Sequence, residues 1–328
     1  MPTAAIRPGK ARQVVDAGMG ETIAIIGAGL MGHGIAQVFA QARHRVRVYD
    51  AHRSALDSLN SRIRANLDQL GLPRGAEERV SGHADLAEAV QGAAYVFEAA
   101  PEKLELKRSI FADLVRVAAP EALLASNTSV VPIGEIAAGL DTATRILGTH
   151  WWNPPFLVPL VEVVATNRTA SSAVDRMVEL LSSVGKQPVR IRKDVPGFVG
   201  NRLQHALWRE AIAIVGEGIA DAETVDTVVK ASFGRRLAVL GPIENADLVG
   251  TDLTLDIHKV VLQHLDRSPD PSPYLAGLVE RGRLGMKSGE GFRKWSSKEA
   301  AALRSRVFAH LKQSASGQPV EQASDTAG

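Results

Sequence analysis

Cysteine is absent from the 328 residues. There is therefore no disulfide framework, no thiol nucleophile and no cysteine-based zinc site, and no metal is expected. Apolar runs of membrane-spanning length are also missing. The opening Met1-Pro2-Thr3-Ala4-Ala5-Ile6-Arg7-Pro8-Gly9-Lys10 has no hydrophobic region of the signal-peptide kind. Neither sign of charge dominates: 38 Lys and Arg against 36 Asp and Glu leave a formal net charge of +2. With no dense basic stripe, nucleic acid is not an expected partner. What remains is 45% hydrophobic and 23% charged, a globular chain with ample core, long for one domain and comfortable for two. The default expectation is a cytoplasmic enzyme acting on a small molecule.

Residues 1–20 and 314–328 read as flexible tails, the second of them small and polar. Over 21–193, short apolar strands alternate with helical segments, the pattern of an α/β, Rossmann-type doubly wound parallel sheet. Strands are expected at 23–26, 45–49, 95–98, 123–126, 145–150, 158–164 and 188–191. A helix is expected over 102–117, where Leu106, Ile110, Leu114 and Val117 recur at three- and four-residue steps. After Asp194-Val195-Pro196-Gly197 the style changes, and 194–313 reads as an all-α C-terminal domain. Helices are expected at 198–218, 221–232, 246–263 and 273–281.

The β-branched run ending at Ile26 leads into Gly27-Ala28-Gly29-Leu30-Met31-Gly32 and an apolar helix, and the next strand closes on Asp50. This is the context a dinucleotide-binding turn requires. Gly27 would allow the tight turn, Gly29 the close approach of backbone to a pyrophosphate, and Gly32 helix-to-strand packing. The loop as a whole, Leu30 and Met31 included, would present the N–H end of the following helix to the anion. Asp50 would accept hydrogen bonds from the adenosine ribose and repel a 2′-phosphate, favouring NAD over NADP.

A carboxylate, Glu162, interrupts the apolar run 158–164, twelve residues after His150. An isolated buried charge costs several kcal/mol or more, so a partner is expected. A strand ending near His150, followed by a turn at Asn153-Pro154-Pro155, would return the next strand alongside and bring Glu162 to the imidazole. Such a pair suits removal of an alcohol proton. A surface histidine and an edge glutamate that never meet would fit the spacing as well.

The assembled pattern resembles the 3-hydroxyacyl-CoA dehydrogenase family. The matching segments are 27–36, Glu98-Ala99-Ala100-Pro101-Glu102, Ser126-Asn127-Thr128-Ser129, His150-Trp151-Trp152-Asn153-Pro154, Glu162, 194–202 and Lys287-Ser288-Gly289-Glu290-Gly291-Phe292. They lie in family order across about 21–295. The resemblance implies an NAD-dependent alcohol dehydrogenase with His150 as catalytic base and Glu162 as its partner. It places Ser129, Asn153 and Asn201 around the reacting oxygen, and Glu102 and Lys107 near the nicotinamide ribose. It also implies a homodimer formed through the helical domain and a place in fatty acid metabolism.

Two departures bear on the substrate. Family members that act on CoA thioesters commonly carry a longer, lysine-rich hairpin after the second strand, whereas 54–80 holds no lysine. Arg62, Arg64, Arg74 and Arg79 are the available substitutes. Trp151-Trp152-Asn153-Pro154-Pro155 also resembles a branch acting on CoA-free hydroxy acids, sugar acids or aromatic alcohols, for which Arg235-Arg236 reads either as an exposed helix end or as a carboxylate clamp. A non-catalytic dinucleotide-binding protein is the remaining alternative. Against it, such a protein has no reason to keep His150, Glu162, Ser129 and Asn201 together.

Overall fold

The computed structural model describes residues 20–316. The tails expected at either end lie outside the described residues, apart from Gly20 and 314–316. The described chain forms two compact units that divide between Phe198 and Val199.

The first unit is built on eight strands: β1 (Gly20–Ile26), β2 (His44–Tyr49), β3 (Val80–His83), β4 (Tyr95–Glu98), β5 (Leu123–Ser126), β6 (Ile146–Trp151), β7 (Leu160–Val164) and β8 (Gln187–Ile191). They lie in the order β3-β2-β1-β4-β5-β6-β7-β8. All neighbours are parallel except β6 and β7, which run antiparallel with His150 opposite Glu162. Seven helices fall between the strands: α1 (Leu30–Gln41), α2 (Arg53–Asp57), α3 (Leu59–Leu70), α4 (Leu86–Val90), α5 (Leu104–Val117), α6 (Ile133–Ile136) and α7 (Ser171–Ser183).

Period-two alternation explains why the sheet is covered on both faces. In β1, Ile23 and Ile25 enter a core shared with Phe39 of α1, Ile63 of α3 and Met177 of α7. Ala24 and Ile26 point the other way, into a core with Phe111 and Leu114 of α5 and Ile133 of α6. The strand order reverses between β1 and β4, and a doubly wound sheet opens its ligand crevice at that switch point.

The expectation missed β3. Its Val-Ser-Gly-His carries no apolar alternation, and only Val80 is buried. A Cβ on Gly82 would meet the Leu56 side chain at 3.3 Å, a tight contact. The segment Asp194-Val195-Pro196-Gly197, expected to open the helical domain, belongs to the first compact unit. The Asp194 carboxylate accepts the N–H groups of Ile133 at 2.9 Å and Gly134 at 2.7 Å, capping the start of α6.

The second unit is helical: α8 (Gly200–Gly216), α9 (Ala222–Ala231), α10 (Pro242–Val249), α11 (Thr251–Val261), α12 (Pro273–Glu280) and α13 (Ser297–Ala315). The single helix expected over 246–263 is two. Gly250 breaks it at a φ of 100°, which a residue with a Cβ adopts only at a cost. α13 escaped the sequence reading, although its Ser296–Glu299 capping box is a sequence-level signal.

Candidate active site and dinucleotide crevice

At the switch point, Gly27 leaves β1 at a φ of 105°, and a Cβ there would stand 2.8 Å from the Ala99 carbonyl. A Cβ on Gly32 would lie 1.7 Å from the Gly27 carbonyl, so the first turn of α1 can approach β1 only with glycine. A Cβ on Gly29 would meet nothing within 4 Å. The loop thus has two positions closed by backbone and one facing open space. A cleft of about 610 Å³ lies over it, lined by Gly29, Leu30, Met31, Asp50 and Pro101 among others. Asp50, at the end of β2, accepts the N–H of Ala28 at 2.7 Å and that of His52 at 2.8 Å. Each carboxylate oxygen keeps a lone pair for a further donor. A cradle with free N–H groups, flanked by a fixed carboxylate, fits a dinucleotide's pyrophosphate and ribose.

Adjacent to this crevice is a buried charged cluster. Glu98 closes β4 and Ser126 closes β5, directly opposite. The Ser126 hydroxyl donates to Glu98 Oε2 at 2.6 Å, and Lys107 Nζ donates to both Glu98 oxygens at 2.9 and 3.1 Å. Lys107 has no exposed surface and also stands 3.3 Å from Glu102. It is therefore engaged behind Glu102, not standing open in the cleft. Glu102 accepts the Thr128 hydroxyl at 2.5 Å and the N–H groups of Ser129 and Val130 at 2.8 and 3.1 Å. Burial pulls this carboxyl upward, but Thr128, Lys107 and the two amides outweigh it, and its pKa falls below the ordinary glutamate value.

The third part sits on β6 and β7. Antiparallel pairing sets His150 across from Glu162, with Nδ1 2.7 Å from Oε2. Both side chains are buried. Against an ionised carboxylate Nδ1 carries the proton, which leaves Nε2 as a lone-pair acceptor. The ring is confined by Trp152, at 5.1 Å between centroids, and Phe198 at 5.9 Å. Phe198 holds a positive φ of 49°, a conformation a non-glycine residue keeps only when packing imposes it.

Ser129 follows β5 and Asn153 follows β6. Because β5 and β6 are parallel neighbours, both lie at the strands' C-terminal edge, the edge where β1 carries the glycine loop. Asn201 lies in the first turn of α8, in the second unit. Arg235 and Arg236 are exposed at a short helical turn there. Two positioning residues were not foreseen. Asn127 Oδ1 accepts the Trp151 N–H at 3.0 Å, fixing the strand beside His150. Lys186 donates to the carbonyls of Pro155 and Val158 and lies 5.5 Å from the Trp151 ring, tying down the loop that carries Asn153. Burial lowers its pKa to about 8.

A dinucleotide crevice at the switch point and a His–Glu pair on the same sheet define an NAD-dependent dehydrogenase. Residues 22–195 match the NAD-binding domain of 3-hydroxyacyl-CoA dehydrogenase and 197–295 match its C-terminal domain, so the chain belongs to that family. It is 34% identical over 287 residues to 5-formyl-3-hydroxy-2-methylpyridine 4-carboxylate 5-dehydrogenase of Mesorhizobium japonicum, covering 86% of this chain and 93% of that protein. It is 37% identical over 278 residues to a probable 3-hydroxybutyryl-CoA dehydrogenase of Deinococcus radiodurans, covering 83% and 99%. A crystal structure of the pyridine carboxylate dehydrogenase, described as an NAD-dependent dismutase, superposes with a TM-score of 0.84 at 33% identity, covering 91% of this chain and 99% of that one.

Proposed function

We propose that His150 is the general base of a secondary-alcohol dehydrogenase that converts a 3-hydroxyacyl-type substrate to its ketone. The observation that carries this reading is the 2.7 Å contact between His150 Nδ1 and Glu162 Oε2 in a buried, in-register strand pair. Glu162 holds the ring in the tautomer whose Nε2 is free to take the hydroxyl proton. It then compensates the imidazolium charge that results. When bound, NAD supplies the acceptor for the hydride that leaves the same carbon. Gly27, Gly29, Leu30, Met31, Gly32 and Asp50 would hold its adenosine diphosphate half, and Glu102, braced by Lys107, would stand at the nicotinamide ribose. Ser129 and Asn153 are the side chains of the first unit assigned to the substrate oxygen, a hydroxyl and an amide that would hold it without competing for its proton. The resemblance to the family gives Asn201 the same role.

One observation favours a second reading, in which the substrate carries no CoA. The arginines of the 53–79 segment are already engaged. Arg53 pairs with Asp57 at 3.1 Å, Arg64 with Glu77 at 3.2 Å and Arg74 with both oxygens of Asp68 at 2.8 and 2.7 Å. Arg79 donates to the Gly75 carbonyl and Arg62 to the Ala28 carbonyl. With no lysine in the segment and a carboxylate beside Arg53, Arg64 and Arg74, it offers a nucleotide phosphate little net positive charge. The 0.84 TM-score to a pyridine carboxylate dehydrogenase supports the same reading.

NADH formation measured with 3-hydroxybutyryl-CoA and with a panel of free hydroxy acids and aromatic alcohols separates the two. A higher kcat/KM for the thioester supports the first reading and a higher value for a free acid the second. No NADH with any alcohol overturns both. A homodimer through the helical unit and a cytoplasmic role in fatty acid metabolism belong to the same proposal. The dimer is supported by the apolar surface α8 and α11 leave exposed, including Leu203, Trp208, Leu253 and Val260.

A further inference from the structure

Arg62 stands behind the glycine loop, and the chemistry above leaves it without a role. From α3 its Nη2 donates to the Ala28 carbonyl and, at 3.1 Å, to that of Ala55, while Nη1 lies 3.5 Å from the Gly29 carbonyl. His33 adds a second donor, with Nδ1 2.8 Å from the same Gly29 oxygen. Burial holds the His33 pKa below the ordinary imidazole value. The Gly29 contact opposes that shift, and the Arg62 charge adds to it. The neutral ring thus donates from Nδ1.

A trans peptide points its C=O and N–H in opposite directions. The Ala28 carbonyl shares its peptide with the Gly29 N–H, and the Gly29 carbonyl with the Leu30 N–H. The Gly29 carbonyl is held by α1 itself, through the His33 N–H at 3.2 Å and Nδ1, so it is the Ala28 carbonyl that Arg62 fixes from the α3 side. This aims the Gly29 N–H away from α3, while the helix aims that of Leu30. Both N–H groups stand at the start of α1, where the helix has no acceptor to give them, and the Gly29 Cα faces open space. A cation behind the two peptides also polarises them as donors.

We infer that Arg62 is a positioning residue of the cofactor site, orienting the Gly29 N–H group toward the pyrophosphate by holding the Ala28 carbonyl. The inference rests on the proposed assignment of the pyrophosphate to this loop. It also commits Arg62 to the loop, so that it is not a contact for a CoA phosphate. The role is directed at the diphosphate: adenosine, which lacks it, should sense Arg62 only weakly, through the charge Arg62 places near Asp50.

Calorimetric titration of the full chain with ADP and with adenosine tests this without turnover. The unaltered protein should bind ADP more tightly than adenosine. Arg62→Met should weaken ADP by about tenfold, a loss of one charge-assisted contact pair, and adenosine by less than twofold. Arg62→Lys, which cannot fork across two carbonyls, should show a smaller loss confined to ADP. It carries the same test if Arg62→Met does not fold. Unchanged ADP affinity, or equal losses for both ligands, overturns the role of Arg62 alone. If the unaltered chain binds ADP no better than adenosine, the pyrophosphate assignment of the loop falls, and the role of Arg62 with it.

Discussion

Lys107 and Glu98 form an ion pair in which neither side chain is exposed, with Nζ 2.9 Å from the nearer carboxylate oxygen. Desolvation makes such a pair expensive to break, because removing one partner strands the other in the core. Lys107→Met should therefore destabilise the protein by about 3–5 kcal/mol. Urea unfolding measures this, and adding Glu98→Gln to the same chain should restore part of the loss. A Lys107→Met loss below about 1 kcal/mol would show that the pair behaves like a surface contact.

Glu102 carries this pair's influence to the loop after β5 by accepting from Thr128, Ser129 and Val130. Glu102→Gln keeps the shape but removes the charge that strengthens these bonds. The expected outcome is a fall in kcat/KM of about tenfold, with a melting temperature lowered by only a few degrees. The carboxyl pKa is held below the usual glutamate value by these donors and Lys107 despite burial. Its contribution to stability is therefore present above the ordinary glutamate pKa and is lost as pH falls through the lowered one. Thermal melts of the unaltered and Gln forms should converge at the acid end.

Lys186 is lowered as well, but for a different reason: desolvation penalises its charged form. Burial brings its pKa from 10.5 to about 8, so between those values the unfolded chain binds more protons than the folded one. Stability then rises with pH across that window. The two loop carbonyls it reaches offset part of the burial cost. A gain of about 1–3 kcal/mol between pH 8 and 10 is expected, and Lys186→Met should lack it. Chemical unfolding at a series of pH values reads the difference directly.

Much of this architecture was legible because its signals are local. The Gly27–Gly32 loop, its preceding strand and Asp50 lie within about thirty residues, and each has a physical reason to be where it is. Glu162 stood out because a lone carboxylate inside an apolar strand demands a partner. The contacts that brace the site were not legible. Arg62 to Ala28, Asn127 to Trp151 and Lys186 to Pro155 span 34, 24 and 31 residues. No spacing rule distinguishes such side chains from ordinary surface arginine, turn asparagine or helix-end lysine. β3 was missed for a different reason: pairing with β2 specifies it, while Ser81, Gly82 and His83 bring little strand propensity of their own.

The central claim concerns one proton at His150 Nε2. His150→Gln, compared with the unaltered enzyme in NADH-forming turnover and in NAD binding, tests it most directly. The expected result is a loss of about 10²–10⁴ in kcat, the range for removing a general base, with NAD affinity unchanged. A variant that turns over at the original rate would contradict the account.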